Sequence, residues 1–293
     1  MNILVTGCNG QLGNEMQLLE KDNGQHVFFN TDVSQLDITD QAAVDRFVAD
    51  HEIDCIVNCA AYTAVDRAES DRELCTTLNT VAPAYLAAAV ERRGGAMIQV
   101  STDYVFDGKA HTPYVETDTP SPDSVYGSTK LAGELAVVKF CRRTMIVRTA
   151  WLYSSFGNNF VKTMMRLGRE KKELGVVFDQ IGTPTYARDL AVAIMAAVNK
   201  GIVPGVYHFS NEGVCSWYDF ACEIIRLSGV KATVAPCTSE EYKAKHPDSA
   251  DRPKWSALDN RMLRCTVGND VRDWKDALAC FFAHWDGENG MKG

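Results

Sequence analysis

The chain has 293 residues, 46% of them hydrophobic, enough to bury a substantial core in one large domain or one and a half. Its 38 acidic and 30 basic residues leave a net charge of -8, which argues against a nonspecific nucleic-acid partner or an anionic membrane surface. No run of about 18 apolar residues and no charged-then-apolar leader is present, so a cytoplasmic protein is expected.

Ten cysteines, several inside apolar runs and none in a C-x-x-C pair, read as reduced small hydrophobes rather than a disulfide framework. The six histidines are scattered, and no metal site is expected.

The chain opens on the apolar run Asn2-Ile3-Leu4-Val5, short enough for a buried strand. Gly7, Gly10 and Gly13 follow in G-x-x-G-x-x-G spacing, and Met16 and Leu19 then fall at helical spacing. Strand, glycine turn and helix in that order predict a dinucleotide site. Gly7 would make the sharp turn, Gly10 would let a pyrophosphate approach the backbone, and Gly13 would let helix and strand pack closely. A second strand at His26–Phe29 leads to Asp32, about where such folds place the acid that binds the adenosine ribose. A carboxylate there favours NADH over NADPH. A solvated loop acid is the other reading, and both cofactors stay open.

A helix carries Val44, Phe47 and Val48 on one face, and the apolar strand Ile53–Cys59 runs into Ala60-Ala61-Tyr62-Thr63. Those small residues leave room for a flat ring or ribose. A long helix with Leu78, Ala82, Leu86 and Val90 at helical spacing follows, with Asn79 on its less apolar side, and then the strand Ala96–Val100. Three strand-helix units with crossover-length connections specify an α/β fold, a Rossmann-type doubly wound parallel sheet.

Thr102 and Asp103 close the fourth strand, at the sheet edge where such folds bind ligands. In the next helix Tyr126 and Lys130, four residues apart, share one face, and Leu131, Leu135 and Val138 are predicted to face the core. An ammonium about 4 Å from a phenol, at an effective dielectric near 20, favours phenolate by roughly 4 kcal/mol. Tyr126 is therefore the candidate proton donor, Lys130 its partner, and Thr102 the hydroxyl that orients a carbonyl oxygen.

Thr144–Arg148 is the fifth strand, after which the periodic pattern loosens. Helices are predicted around Val161–Gly168, over Asp189–Val198 and from the capping box Ser216–Asp219, with a strand at Val206–Phe209. Trp217 is read as core. The stretch Pro236–Leu258 is irregular and contains Arg252, either a grip on a diphosphate or a surface ion pair. Val271, Trp274, Leu278 and Phe281 form a terminal packing stripe. The predicted division is a dinucleotide-binding part at 1–150 plus about 183–213, and a smaller C-terminal α+β substrate-binding region at about 151–182 and 214–293.

The glycine turn, Leu36-Asp37-Ile38-Thr39, Asn58 through Asp66, Ser101 through Asp107, Val125 through Glu134, Arg148 through Tyr153, Gly157 through Phe160, Asp179 through Thr185 and Arg252-Pro253 together resemble the dTDP-4-dehydrorhamnose reductase family. That family is part of the extended short-chain dehydrogenase/reductases. The resemblance implies NADPH- or NADH-dependent reduction of the 4-keto group of a nucleotide sugar, dTDP-4-dehydrorhamnose. By the same resemblance Gly10, Gln11 and Leu12 would cradle the pyrophosphate, and Asp37 and Ile38 the adenine side. Ala60, Ala61, Tyr62 and Thr63 would hold the nicotinamide-side ribose and phosphate, while Tyr126, Lys130 and Thr102 act. Asp103, Trp151 and Asn159 would meet the substrate, and a homodimer is conceivable. Some members are described as holding Mg2+ between glutamates at a dimer interface, one at the position of Glu15. Arg188 stands where another would be, so no metal is carried over.

The related dehydratases place Asp-Glu after the catalytic threonine to eliminate water, whereas this chain has Asp103-Tyr104, which favours simple reduction. Two alternatives remain from sequence. One is a reductase or epimerase of another nucleotide sugar. The other is a non-catalytic NADP-binding subunit similar to the regulatory beta subunit of methionine adenosyltransferase.

Overall fold

In the computed structural model, which describes residues 1–247, 249–268 and 270–285, the strands and helices alternate from the first residues onward. Strands β1 (Asn2–Thr6), β2 (Val27–Thr31), β3 (Cys55–Asn58), β4 (Ala96–Thr102) and β5 (Thr144–Thr149) are interleaved with helices α1 (Gln11–Leu18), α2 (Gln41–Asp50), α3 (Ala82–Arg92) and α4 (Val125–Phe140). The second half contributes α5 (Phe160–Glu170), β6 (Glu173–Val177), α6 (Ala187–Lys200), β7 (Gly205–His208), α7 (Trp217–Ser228), β8 (Thr233–Cys237), α8 (Arg261–Val267) and α9 (Trp274–His284).

Six strands form one parallel sheet in the order β7-β5-β4-β3-β1-β2. The chain reverses direction across the sheet between β1 and β3, and the carboxyl ends of the strands there open a crevice. Both faces of the sheet are covered, which is why its strands read as continuous apolar runs. Met16 of α1, Leu190 and Ile194 of α6 and Leu263 of α8 pack with Ile3, Val5 and Val57 on one side. Val44 of α2, Leu86 and Val90 of α3 and Val137 of α4 pack with Leu4, Ile56 and Met97 on the other.

A separate aromatic core forms the second region. Tyr153, Phe220, Trp274 and Phe281 pack there with Val161, Leu174 and Ile224, and β6 pairs in parallel with β8. The predicted capping box at Ser216 and Asp219 is complete in both directions. Helix α8 returns to the first layer, because Leu263 and Val267 fill the groove beside α6. The predicted span of the substrate region ends at 293; residues 286–293 lie outside the described residues.

Two local expectations are corrected. Leu135 and Val138 point outward, at 68% and 57% exposure, and Leu131 is only partly buried. The inward side of α4 carries Tyr126, Lys130, Gly133, Glu134 and Val137 instead, so polar residues take the place the apolar stripe was expected to fill. The helix before β4 is also not uniform. Pro83 lies at its start and lacks the N–H that a continuous helix would need, and a π turn at Thr77–Val81 precedes α3. That turn buries Asn79, which was expected on the less apolar side.

His208 at the end of β7 is buried and bonded through Nδ1 to the Tyr114 carbonyl, while burial holds its pKa down at about 3. The unfolded chain therefore binds one more proton than the folded one between about pH 6.5 and 3. Stability from this group is present above that window and is lost as pH falls through it, at about 1.4 kcal/mol per pH unit. In urea titrations over that range, His208→Gln is expected to flatten the acid slope; an unchanged slope would show that the histidine does not carry it.

Candidate active site

The glycine turn between β1 and α1 forms one wall of the crevice. Gly7 has φ +63°, and a Cβ there would lie 2.8 Å from the Ala60 backbone; a Cβ on Gly13 would lie 2.3 Å from the Gly7 carbonyl. Gly10 caps α1 without any side-chain hydrogen bond, so the first N–H groups of the helix are free for an anion. These residues fit a pyrophosphate.

A cavity of about 830 Å³ runs from this turn. Gly7, Gly10, Gln11, Leu12, Asp32, Asp37, Ile38, Ala60, Ala61 and Thr63 line it, as do Thr102, Asp103, Tyr126 and Lys130. Gly13 and Tyr62 support it from behind. Asn79 clamps Tyr62 by accepting from its N–H at 2.9 Å and donating to its carbonyl at 3.1 Å, which shapes the loop after β3. Asp32 accepts from the backbone N–H of Asn9 and Val33 at the rim, where an adenosine ribose would lie. Asp37 accepts from the N–H and hydroxyl of Thr39, and those bonds hold its carboxyl below the usual range.

At the far end of the cavity, β4 and α4 meet. Thr102 donates to Asp103 Oδ1 at 2.9 Å and accepts from the Tyr104 N–H at 3.2 Å. Lys130 Nζ donates to the Val100 carbonyl at 2.7 Å. Tyr104 lies edge-on to Tyr126, with ring centroids 5.4 Å apart.

Burial controls the protonation here. It pushes the Tyr126 phenol well above its ordinary value, with the Thr102 hydroxyl working against it. The expectation that Lys130 pulls the phenol down is therefore corrected: desolvation raises it, and the amine is engaged with a strand carbonyl. Burial also lowers Lys130, to about 8, against the opposing charge of Glu134. Asp103 is buried with Oδ2 unpartnered, and desolvation raises its carboxyl to about 7.

A second cavity of about 850 Å³ adjoins the first, sharing Tyr104 and Trp151. Trp217, Phe160, Gln180, Tyr242, Asp66 and Arg252 line it. Trp151 has φ +48°, a strained conformation for a bulky residue that costs on the order of 1–3 kcal/mol. In that posture its indole stacks on Trp217 at 3.6 Å. Trp217, expected in the core, packs against the aromatic core cluster and also forms cavity wall. Arg252 donates to Tyr104 Oη at 3.0 Å and to both Asp66 oxygens at 3.1 Å, so the guanidinium stands at the junction as an ion pair. Asn159 turns from the cavities: its Oδ1 caps α5, and its Nδ2 donates to Gln11 Oε1 and the Ser154 carbonyl.

Asp66, Tyr104, Gln180 and Tyr242 were not assigned roles from sequence. Asp66 and Tyr104 had a signal, since both lie inside motifs that bracket the catalytic strands. Gln180 also had a signal, inside the Asp179–Thr185 motif, whereas Tyr242 lies on loosely patterned chain and had none.

Fold and site together define a nicotinamide-dependent reductase of the extended short-chain dehydrogenase/reductase class. The family model described as "RmlD substrate binding domain" matches residues 1–286, and the chain belongs to that family, the dTDP-4-dehydrorhamnose reductases. A dTDP-4-dehydrorhamnose reductase from Aggregatibacter actinomycetemcomitans is 39% identical over 283 residues, covering 94% of this chain and 96% of that protein. A solved dTDP-4-dehydrorhamnose reductase from Clostridium acetobutylicum superposes with TM-score 0.92 at 46% identity, covering 97% of this chain and 99% of that one. The Bacillus anthracis enzyme of the same name, solved in complex with NADP, gives TM-score 0.90 at 40% identity over 96% and 98%.

Because burial brings Lys130 down to about 8, a catalytic part for its charge predicts that kcat/KM falls as pH rises through about 8. A profile flat well into the alkaline range would remove Lys130 from the mechanism.

Proposed function

We propose that the chain reduces the C4 keto group of dTDP-4-dehydro-L-rhamnose with NADPH or NADH, giving dTDP-L-rhamnose. The observation that carries this reading is the juncture of the two cavities. A buried phenol, a strand-end hydroxyl and a lysine line the first, and the walls shared with the second would hold a sugar between nicotinamide and nucleotide.

The bound cofactor supplies the hydride that adds to C4. Tyr126, held neutral by burial, gives its proton to the developing alkoxide oxygen. Lys130, charged below about pH 8, stabilises the phenolate left behind. Thr102 turns its one hydroxyl hydrogen from Asp103 Oδ1 to the carbonyl oxygen as charge develops there, and Asp103 takes a sugar hydroxyl on its unpartnered oxygen. Trp151 supports one sugar face. Arg252 exchanges part of its bond with Asp66 for the diphosphate.

All ten cysteines are free, which fits a reducing compartment, and among the described residues no helix is long and apolar enough to cross a membrane. We place the reaction in the cytoplasm. A second copy of the chain is the proposed cover for the outward Leu135 and Val138.

Supplied with dTDP-4-dehydrorhamnose, the protein is expected to oxidise NADPH or NADH, followed by loss of reduced-nicotinamide absorbance. Tyr126→Phe should reduce kcat by about 10²–10⁴-fold; turnover at the wild-type rate would refute the assigned acid. Asp32 carries negative charge to the place of the ribose 2'-phosphate, so Asp32→Ser is expected to improve KM for NADPH relative to NADH by about tenfold. Equal effects on both cofactors would place that carboxylate away from the ribose.

A further inference from the structure

One buried ion pair serves neither cavity. Glu134 on α4 and Arg148 on β5 are each 4% exposed, and neither lines the cofactor or the substrate cavity. Arg148 holds the carboxylate with two bonds, Nε to Oε1 at 2.9 Å and Nη2 to Oε2 at 2.7 Å. Ser101, paired with Arg148 in the β4–β5 register, donates its hydroxyl to Glu134 Oε1. The Arg148 guanidinium also lies 5.1 Å above the Phe106 ring.

A buried ion pair is a poor way to add stability, since apolar residues of similar volume usually do as well or better. What this pair supplies is direction. Lys130 and Glu134 are one turn apart on α4 and are bonded to successive residues of β4, Lys130 to Val100 and Glu134 to Ser101. The residue after Ser101 is Thr102. Two struts between the same helix and strand fix both the distance and the axial register of the helix that carries the phenol.

We propose that Glu134, held by Arg148 and Ser101, is a positioning residue that sets Tyr126 and Lys130 against Thr102. The proposal rests on the reductase reading of that triad. Glu134 also places a negative charge one turn from the amine and so favours its charged form. The other groups facing that amine are the thiols of Cys59 and Cys75, and Arg148 faces Glu134 from β5 with neutral His208 beside it.

Removing one partner alone would leave a buried charge and strongly destabilise the chain, so the test is the double variant Glu134→Gln with Arg148→Met. Its melting temperature is expected near wild type, with kcat lowered about 10–100-fold and KM for the nucleotide sugar within about twofold. The Lys130 amine, followed by NMR of lysine-labelled protein and assigned with Lys130→Met, should titrate about one pH unit lower than in wild type. Wild-type kcat and an unmoved Lys130 titration in the double variant would overturn the proposal. Should the double variant not fold, Ser101→Ala decides, because it keeps both charges and removes only the bond to β4: kcat is expected to fall severalfold, and wild-type kcat would overturn the positioning role. The titration needs no substrate. If wild type fails to reduce the 4-keto sugar while Ser101→Ala, which keeps both charges, still shifts the Lys130 titration, the proposed reaction fails and the strut stands.

Discussion

Helix α4 lies hard against the end of β4, and the chemistry of this chain depends on that approach. A tyrosine and a lysine one turn apart occur on many surface helices, where both are solvated and neither does anything. Here the Lys130 amine reaches the Val100 carbonyl at 2.7 Å, and the Tyr126 ring is wedged beside Tyr104. The pair is buried at the mouth of a crevice that the parallel sheet opens between β1 and β3. Remove that contact and the same residues become an ordinary amphipathic surface.

Burial then sets the protonation states of the cleft. Taking the phenol out of water pushes it well above its ordinary value, and the Thr102 hydroxyl is the group that opposes this. The cleft therefore holds a neutral phenol and an amine that stays charged up to about pH 8. Asp103, raised to about 7 and bonded to Thr102, is a third buried group whose charge is set by desolvation rather than by its reference value.

The joint between the two cavities carries its own strain. Trp151 adopts a backbone conformation that bulky residues avoid, and in doing so lays its indole on Trp217 and puts one aromatic wall in both cavities. Arg252 closes the other side by bridging Tyr104 and Asp66. A strained backbone and an ion pair thus meet at the wall common to both cavities.

The amino-acid sequence alone determined the alternating strands and helices, the glycine turn with its nearby Asp32, and the one-turn spacing of Tyr126 and Lys130. Each of these is a local periodicity, a backbone requirement or a contact within one element, and needs no knowledge of distant neighbours. Only the tertiary structure decided which side of α4 faces inward, because Glu134 finds its partner on β5, and apolar spacing alone had pointed Leu135 and Val138 to the core. It likewise decided that Trp217 forms cavity wall while packing on the aromatic core, that Asn159 serves α5 and Gln11, and that desolvation raises the Tyr126 phenol. All of these turn on through-space distances between residues far apart in the chain and on exclusion of water, quantities that exist only once the chain has closed upon itself.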